Sequence, residues 1–152
     1  MQLFRGFDSY FVDGEYQNPF IENPRTPRDT DTRVHNIADK WFEDHFSITA
    51  RSSTIFCSTS RAQAEEYCEP GNSLALIEPI GNYKIIYSKN LTDFTEYRAE
   101  FNNKASPKEI MEWLKKQNYQ CLQDFQDIYP HFTGELMLFC KSYKLTNLVK
   151  CK

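Results

Sequence analysis

The stretch Ser52-Ser-Thr-Ile-Phe-Cys-Ser-Thr-Ser-Arg-Ala-Gln-Ala-Glu-Glu-Tyr-Cys68 is the part of the chain around which the rest is organised. Its β-branched and aromatic residues 54–57 predict a strand. The three hydroxyl residues 58–60 then favour the start of a helix that ends near Tyr67. Because the first N–H groups of a helix are free to bind a polar ligand, this strand, turn and helix predict one wall of a ligand pocket.

Composition favours an ordinary globular protein. The chain has 152 residues, of which 40% are hydrophobic and 26% charged, so it can form a core of useful size. This length predicts one domain, residues 1–152. The net charge of −3 gives no basic surface for general nucleic-acid binding. The apolar runs are too short to span a bilayer and no leader segment is visible, so we expect no membrane partner and a cytoplasmic location.

The cysteine pattern argues against a metal site and against a structural disulfide. The chain has five cysteines, an odd number, and no pair has the spacing C-x-x-C. Zinc sites have close ligand pairs and disulfide scaffolds are denser in cysteine. We therefore expect reduced thiols at every one of these positions: Cys57, Cys68, Cys121, Cys140 and Cys151.

The order of predicted elements indicates an α+β fold. Strands are predicted at residues 2–7, 54–57, 73–78, 83–87 and 134–152, and helices at 35–46, 60–67, 106–114 and, more briefly, 121–128. Residues 79–82 are predicted to be the turn of a hairpin. Residues 8–34 are predicted to be a long loop interrupted by proline. We expect a mostly antiparallel sheet with helices set apart on its periphery.

Two charged residues stand at strand ends. Arg5 precedes Gly6 in the first strand, and Glu135 opens the apolar run of the last strand. Either charge, taken alone, is typical of a solvent-exposed strand end; the alternative for Glu135 is a buried carboxylate with a function. Gly6 allows close approach of another backbone or of a ligand. The loop adds local basic charge, and one of its arginines could contact a phosphate, although a solvated cluster is the simpler interpretation: Arg25, Arg28 and Arg33.

Three ordered segments resemble the ADP-ribosyltransferase superfamily. Leu3-Phe4-Arg5-Gly6 is similar to the arginine of the first strand in one branch of that family, and Ser58-Thr59-Ser60 to its Ser-Thr-Ser element. The helix that carries Tyr67 is similar to the tyrosine segment of the other branch. Gly134-Glu135-Leu-Met-Leu resembles the segment with the catalytic glutamate. The chain thus combines features of both branches over about 30 residues.

This resemblance implies a single ADP-ribosyltransferase-like domain with a split sheet, and NAD as substrate. The expected reaction cleaves the bond between nicotinamide and ribose and transfers ADP-ribose to an unidentified macromolecule, expected to be a protein. Thr133 stands where arginine-modifying members have glutamate and where asparagine- or RNA-modifying relatives often have glutamine, which argues against those acceptors. Small enzymes of this kind are often toxins or modifiers encoded by bacteriophages, which would place the chain in a host cytoplasm.

The family chemistry assigns roles to particular residues. The resemblance implies that Glu135 stabilises the oxocarbenium-like centre and that Arg5 holds the pyrophosphate or the adenine ribose. It also implies that Ser58 or Ser60 supports the glutamate or the ribose by hydrogen bonds. Tyr67 or Phe56 would stack on nicotinamide. The expected catalytic residues are Glu135, Arg5 and Ser60, and the expected NAD-binding residues are Arg5, Gly6, Phe56, Ser58, Thr59, Ser60 and Tyr67. No metal is expected.

Other functions fit the same sequence. The enzyme could transfer ADP-ribose to water instead of a macromolecule. A scaffold of this type could also bind a nucleotide or a protein without catalysis, for example as an inhibitor of a host defence system. A plain α+β domain without a pocket is the third interpretation. The orientation of Glu135 distinguishes the first two classes, because catalysis requires Glu135 in the same cleft as Arg5 and Ser60.

Overall fold

The computed structural model describes residues 1–151, and at positions 149 and 150 only the backbone. The final residue of the predicted last strand, Lys152, lies outside this range. The strands are β1 (Phe4–Gly6), β2 (Gly14–Gln17), β3 (Ile55–Ser58), β4 (Ser73–Tyr87), β5 (Gln120–Leu122) and β6 (Glu135–Lys150). The helices are α1 (Thr32–Phe46), α2 (Ala50–Ser53), α3 (Arg61–Glu66) and α4 (Pro107–Lys116), with 3₁₀ segments at Phe94–Ala99 and Phe125–Asp127.

Every strand pairing in the sheet is antiparallel. β1 pairs with both β3 and β4, and β6 also pairs with both β3 and β4, so these four strands form a closed circuit of pairings. β2 extends the sheet from β6, and β5 extends it from β4. The predicted α+β class with a mostly antiparallel sheet is confirmed.

Three predicted details of the sheet are wrong. Residues 79–82 do not form a hairpin turn, because β4 continues through them and pairs with β6 on both sides of a register shift between Ile80 and Tyr83. The expected short helix at 121–128 is β5 followed by one 3₁₀ turn. The predicted loop 8–34 contains β2.

The core lies on both sides of β6. Leu136, Leu138 and Cys140 belong to a cluster enclosed by the strands, whereas Met137 belongs to a second cluster between the sheet and the helices. This alternation is the two-residue period of a strand buried on both faces. The helices α1 and α4 cover the second cluster through residues spaced three, four or seven apart: Val34, Ala38, Trp41, Phe42, Ile110, Trp113 and Leu114.

Capping residues fix where the two long helices begin. The Asp31 side chain accepts hydrogen bonds from the backbone N–H groups of Arg33 and Val34, so α1 begins three residues before the predicted start. At α4, Ser106 and Glu109 form the predicted capping box around Pro107. These helices pack against one face of the sheet, and the start of β6 lies beside α2.

A disulfide contradicts the prediction of five reduced thiols. Cys68, after α3, is bonded to Cys151, after β6, at a Cα–Cα distance of 6.0 Å. The two are 83 residues apart in sequence, so spacing rules could not indicate the pair. Structural disulfides persist in oxidising compartments, which does not support the expected cytoplasmic location. Cys57, Cys121 and Cys140 are free thiols.

None of the helices in residues 1–151 combines the length and the apolar character that crossing a bilayer requires.

Candidate functional site

The sheet brings the three segments of the family resemblance together. Phe4 on β1 is opposite Ser58 on β3, and Ser58 is in turn opposite Glu135 on β6. The start of the chain, the hydroxyl turn and the last strand therefore meet in one row across three adjacent strands. Neighbouring strands lie only about 5 Å apart, so groups in such a row can act on one ligand.

A cavity of about 860 Å³ opens beside this row. Its volume falls in the range of about 300–1,000 Å³ that is usual for small-molecule and cofactor sites. Six of the eight predicted site residues line it: Arg5, Gly6, Phe56, Ser58, Tyr67 and Glu135. Of the condition that Glu135 shares one cleft with Arg5 and Ser60, the structure meets the part that concerns Arg5 and not the part that concerns Ser60.

The other two predicted residues, Thr59 and Ser60, are not part of the cavity lining in the described chain. The Ser60 side chain caps α3 and accepts a hydrogen bond from the backbone N–H of Gln63 at 3.3 Å. The Thr59 hydroxyl donates to the backbone oxygen of Phe132 at 2.9 Å. The structure thus gives these two hydroxyls local capping and loop-fixing contacts, in place of the predicted ligand contacts.

Ser58, and not Ser60, is the serine of the hydroxyl turn that lines the cavity. Its side chain is 5% exposed, accepts the backbone N–H of Ser60 at 2.9 Å and donates to the Gln63 side-chain oxygen at 2.5 Å. Gln63 donates onward to the backbone oxygen of Thr92 at 2.8 Å. This chain of bonds holds the first turn of α3 against the segment before the 3₁₀ helix, and it shapes one side of the cavity.

Glu135 is half-buried in an ion pair, which agrees with the alternative of a buried carboxylate better than with that of an exposed strand end. Its Oε1 accepts a hydrogen bond from Nη1 of Arg51 at 2.7 Å, with side chains that are 20% and 5% exposed respectively. Burial raises the pKa of Glu135 above its ordinary value, and the nearby Arg51 guanidinium opposes that shift only in part. The carboxyl group thus has a shifted pKa, which is frequent in functional sites.

Arg51 is the central residue that the sequence reasoning missed. It lies in α2, and its guanidinium carbon is 4.2 Å from the ring centroids of both Phe56 and Phe94. Its Nε is buried and has no hydrogen-bond partner among the described residues. The sequence offered one indication of this role: Arg51 stands shortly before the predicted buried strand at residues 54–57. A charged side chain next to a buried strand needs a partner inside the fold.

Arg25 comes from the long loop and enters the same cavity. It donates to the backbone oxygens of Arg51 at 3.0 Å and Thr54 at 2.8 Å. Its guanidinium carbon lies 4.0 Å from the Phe20 ring centroid and 3.7 Å from that of Phe56. Burial, followed by repulsion from the guanidiniums of Arg5 and Arg51, lowers the pKa of Arg25 to about 9.

The remaining loop arginines have surface contacts. Arg28 lies at the rim of the cavity in an exposed ion pair with Glu69 at 3.7 Å. Arg33 donates to the backbone oxygens of Asn103 and Ala105. Of the three, Arg25 is therefore the one with the partly buried position that a phosphate-binding role favours.

Phe56 connects the basic groups. Its backbone oxygen accepts a hydrogen bond from Nη1 of Arg5 at 2.7 Å, and its ring contacts the guanidiniums of Arg25 and Arg51. The predicted stacking of this ring on nicotinamide would have to compete with those cation–π contacts. Tyr67 has a freer ring, with 47% of the residue exposed at the cavity.

The Tyr67 hydroxyl closes the cavity on the side of the 3₁₀ helix by donating to Oδ2 of Asp93. Burial and then this hydrogen bond raise the pKa of Tyr67 above its ordinary value. Burial alone would raise the pKa of Asp93, but hydrogen bonds from Thr95 and Tyr67 outweigh it and lower that pKa. At neutral pH the pair is therefore a neutral phenol bound to a carboxylate.

The arrangement is suited to an anionic ligand with a reacting centre that becomes positive. Five arginines line the cavity. Arg28 and Arg98 are exposed, whereas Arg5, Arg25 and Arg51 are half-buried or buried, with the Glu135 carboxylate bonded to Arg51. Such groups can neutralise phosphates and stabilise a developing cation. Within residues 1–151 no three His, Cys, Asp or Glu side chains are grouped closely enough to hold a metal ion.

Comparison with known proteins gives no relative on which to base a function. No family model, no curated protein and no solved structure matches the chain.

Proposed function

We propose that the chain is an NAD-dependent mono-ADP-ribosyltransferase, with the fold of that superfamily, or an NAD-consuming relative that transfers ADP-ribose to water. The observation that supports this most is the convergence of Arg5, Ser58 and Glu135 on one cavity through adjacent strands. The three segments come from distant parts of the sequence. Their meeting is what the ordered resemblance predicts of a shared site.

The proposed reaction breaks the bond between nicotinamide and its ribose. Bond breaking leaves positive charge on the ribose, as in glycoside hydrolysis, and nicotinamide departs with the bonding electron pair. Glu135 stabilises that charge and accepts a hydrogen bond from a ribose hydroxyl, which requires its carboxylate form. The acceptor's nucleophile then bonds to the ribose carbon and loses its proton.

The cavity lining suggests an orientation for NAD. The nicotinamide ribose lies beside Glu135, and the Tyr67 ring stacks on nicotinamide at the more open side. The guanidiniums of the cavity lining attract the phosphates, and that of Arg51 lies next to Glu135. Arg5 contributes charge there while its Nη1 remains bonded to the backbone of Phe56.

Nicotinamide release tests the proposal. Purified protein is incubated with NAD, alone and with a cell lysate, and free nicotinamide and labelled protein bands are measured. Glu135→Gln keeps the size of the side chain and removes its charge, so turnover should fall by ~10²–10³. Glu78→Gln, an exposed glutamate on β4, is the matched control and should keep wild-type turnover. Absence of release by the wild type, with and without lysate, would contradict the enzyme proposal.

A second candidate is a non-catalytic nucleotide-binding module on the same scaffold. The ion pair between Glu135 and Arg51 favours it, because a carboxylate already bound to a guanidinium is less available to a cationic centre. Such a protein would be stabilised by NAD or ADP-ribose through mass action, by about 2.7 kcal/mol at a hundredfold excess over Kd. Ligand-dependent stabilisation without nicotinamide release would select this candidate.

A further inference from the structure

One buried hydrogen-bond donor in the cavity wall has no partner among the described residues. Nε of Arg51 is buried, and the side chain as a whole is only 5% exposed. Leaving a buried donor unpaired is unfavourable, and more so for a charged group. Native proteins rarely tolerate this without a ligand, a water or a functional reason. The guanidinium of Arg51 therefore has hydrogen-bonding capacity that its protein neighbours do not use.

Arg25 supplies further donors at the same place. A guanidinium has five N–H donors, and Arg25 uses two of them on the backbone oxygens of Arg51 and Thr54. Both guanidiniums contact the Phe56 ring, at 3.7 Å for Arg25 and 4.2 Å for Arg51. These bonds and ring contacts hold the two forks in place before a ligand arrives, which reduces the entropy lost on binding.

Charge along the cavity is distributed unevenly. The exposed charges of the lining have both signs, whereas Arg51 is buried and Arg25 is half-buried. The exposed ones are Asp8, Asp29, Glu66, Glu69, Arg28 and Arg98. Within the cavity Glu135 is paired with Arg51, and Asp93 is bonded to Tyr67 and Thr95. The repulsion that Arg25 experiences from Arg5 and Arg51 would be relieved by a ligand that brings negative charge.

We infer that Arg25 and Arg51 form a phosphate-binding subsite beside Phe56, which receives the diphosphate of a nucleotide. The identity of the ligand rests on the proposed function, whereas the subsite itself rests on the geometry of these two arginines. The planar guanidinium fork matches phosphate oxygens better than a point charge does. A diphosphate is favoured over a carboxylate because it offers several oxygens and two or more negative charges to two adjacent forks.

This subsite adds to the role expected for Arg5. The resemblance implied that Arg5 holds the pyrophosphate, and Arg5 donates to the Phe56 carbonyl at 2.7 Å with its guanidinium carbon 5.0 Å from the Phe7 ring centroid. Like Arg25, it keeps donors that its protein partners do not use, so it adds positive charge beside the subsite. The ion pair of Arg51 can persist, because Glu135 bonds to Nη1 and leaves Nη2 of the same guanidinium for the phosphate.

Binding measurements with small anions test the subsite apart from catalysis. Isothermal titration calorimetry is run on the full chain with inorganic pyrophosphate, ADP and adenosine. Arg25→Gln removes one guanidinium. Arg51→Lys keeps the positive charge that Glu135 needs but removes Nε and the planar fork. Arg61→Gln is the matched control, because Arg61 is exposed at the start of α3 and is not among the cavity-lining residues of the described chain.

We expect pyrophosphate and ADP to bind the wild type and adenosine to bind much more weakly. Each of the two subsite variants should weaken ADP binding by ~10–100-fold, the effect of a lost hydrogen bond to a charged group. Arg61→Gln should bind as the wild type does. Urea unfolding of each variant checks that the fold persists, and pyrophosphate binding to the wild type remains decisive if a variant fails to fold.

The outcomes separate this inference from the proposed function. Pyrophosphate binding that depends on Arg25 and Arg51, together with no nicotinamide release from NAD, would leave the subsite in place and overturn the enzyme proposal. Nicotinamide release with no pyrophosphate binding, or with ADP binding unchanged in Arg25→Gln and Arg51→Lys, would overturn the subsite and leave the enzyme proposal standing. Failure of the wild type to bind pyrophosphate and ADP at millimolar concentration overturns the subsite in any case.

Discussion

Removing the guanidinium of Arg51 should expose how strongly the fold depends on the buried ion pair. Arg51→Met keeps a similar apolar stem and leaves the Glu135 carboxylate, 20% exposed, without its partner at 2.7 Å. Breaking a fully buried pair from one side costs about 3–5 kcal/mol. The partial exposure of Glu135 lowers that figure to about 2–4 kcal/mol. At about 2–4 °C per kcal/mol for a chain of this size, the thermal midpoint should fall by about 4–16 °C.

The second half of the double-mutant cycle separates loss of the pair from loss of packing. Arg51→Met combined with Glu135→Gln carries no unpaired charge, so it should be more stable than Arg51→Met alone by about 1–2 kcal/mol. Urea unfolding at neutral pH measures both variants beside the wild type and Glu135→Gln. If the double variant is no more stable than Arg51→Met, the carboxylate is not buried in the way described.

The pH dependence gives an independent check with a definite sign. Burial raises the folded-state pKa of Glu135, and without Arg51 nothing as close opposes that shift. A raised carboxyl pKa stabilises the fold below the unfolded pKa, and this contribution is lost as the pH rises through the folded pKa. The cost of Arg51→Met should therefore be larger at pH 8 than at pH 5. An equal cost at both values would refute the reasoning.

Three further changes test other parts of the site. Gly6→Ala should lower the free energy of unfolding by about 1–3 kcal/mol, because a methyl group there would collide with the backbone oxygen of Ala64 in α3. Unchanged stability would mean that α3 does not pack on β1 in this way. Reduction of the Cys68–Cys151 bond, or Cys151→Ser, should lower the free energy of unfolding by about 2–4 kcal/mol. Thermal unfolding with and without reductant measures this, and an unchanged thermal midpoint would show that the bond is absent in solution. Tyr67→Ala should raise KM for NAD well above that of Tyr67→Phe if the ring stacks on nicotinamide, whereas equal values would assign the effect to the hydroxyl bond with Asp93.

Local patterns predicted most of the elements and failed where distant pairing decides. The capping box at Ser106 and the apolar run at Leu136–Cys140 depend on near neighbours, and both agree with the structure. Residues 79–82 contain a glycine with φ of 75°, which is typical of hairpins. They nevertheless form a bulge within β4, because β4 pairs with β6 on both sides of them. Strand partners that lie more than 50 residues away leave no local signal.

The candidate site shows the same division. Arg5 and Glu135 could be proposed because the family resemblance supplied their relation, which neither residue carries alone. Arg51 could not be, and Arg25 could be named only as one of three loop arginines, since their roles depend on contacts with Phe56 that only the folded sheet creates. The choice between an exposed and a buried Glu135 could not be made from the sequence for the same reason, because the partner that stabilises the half-buried carboxylate is a buried arginine from α2.

The crystal structure of the Glu135→Gln variant with NAD tests the central claim most directly. The account predicts NAD in the 860 Å³ cavity, with a hydroxyl of the nicotinamide ribose within hydrogen-bond distance of residue 135 and the diphosphate against Arg25 and Arg51. NAD bound elsewhere on the chain, or bound in the cavity with its nicotinamide end away from residue 135, would contradict it.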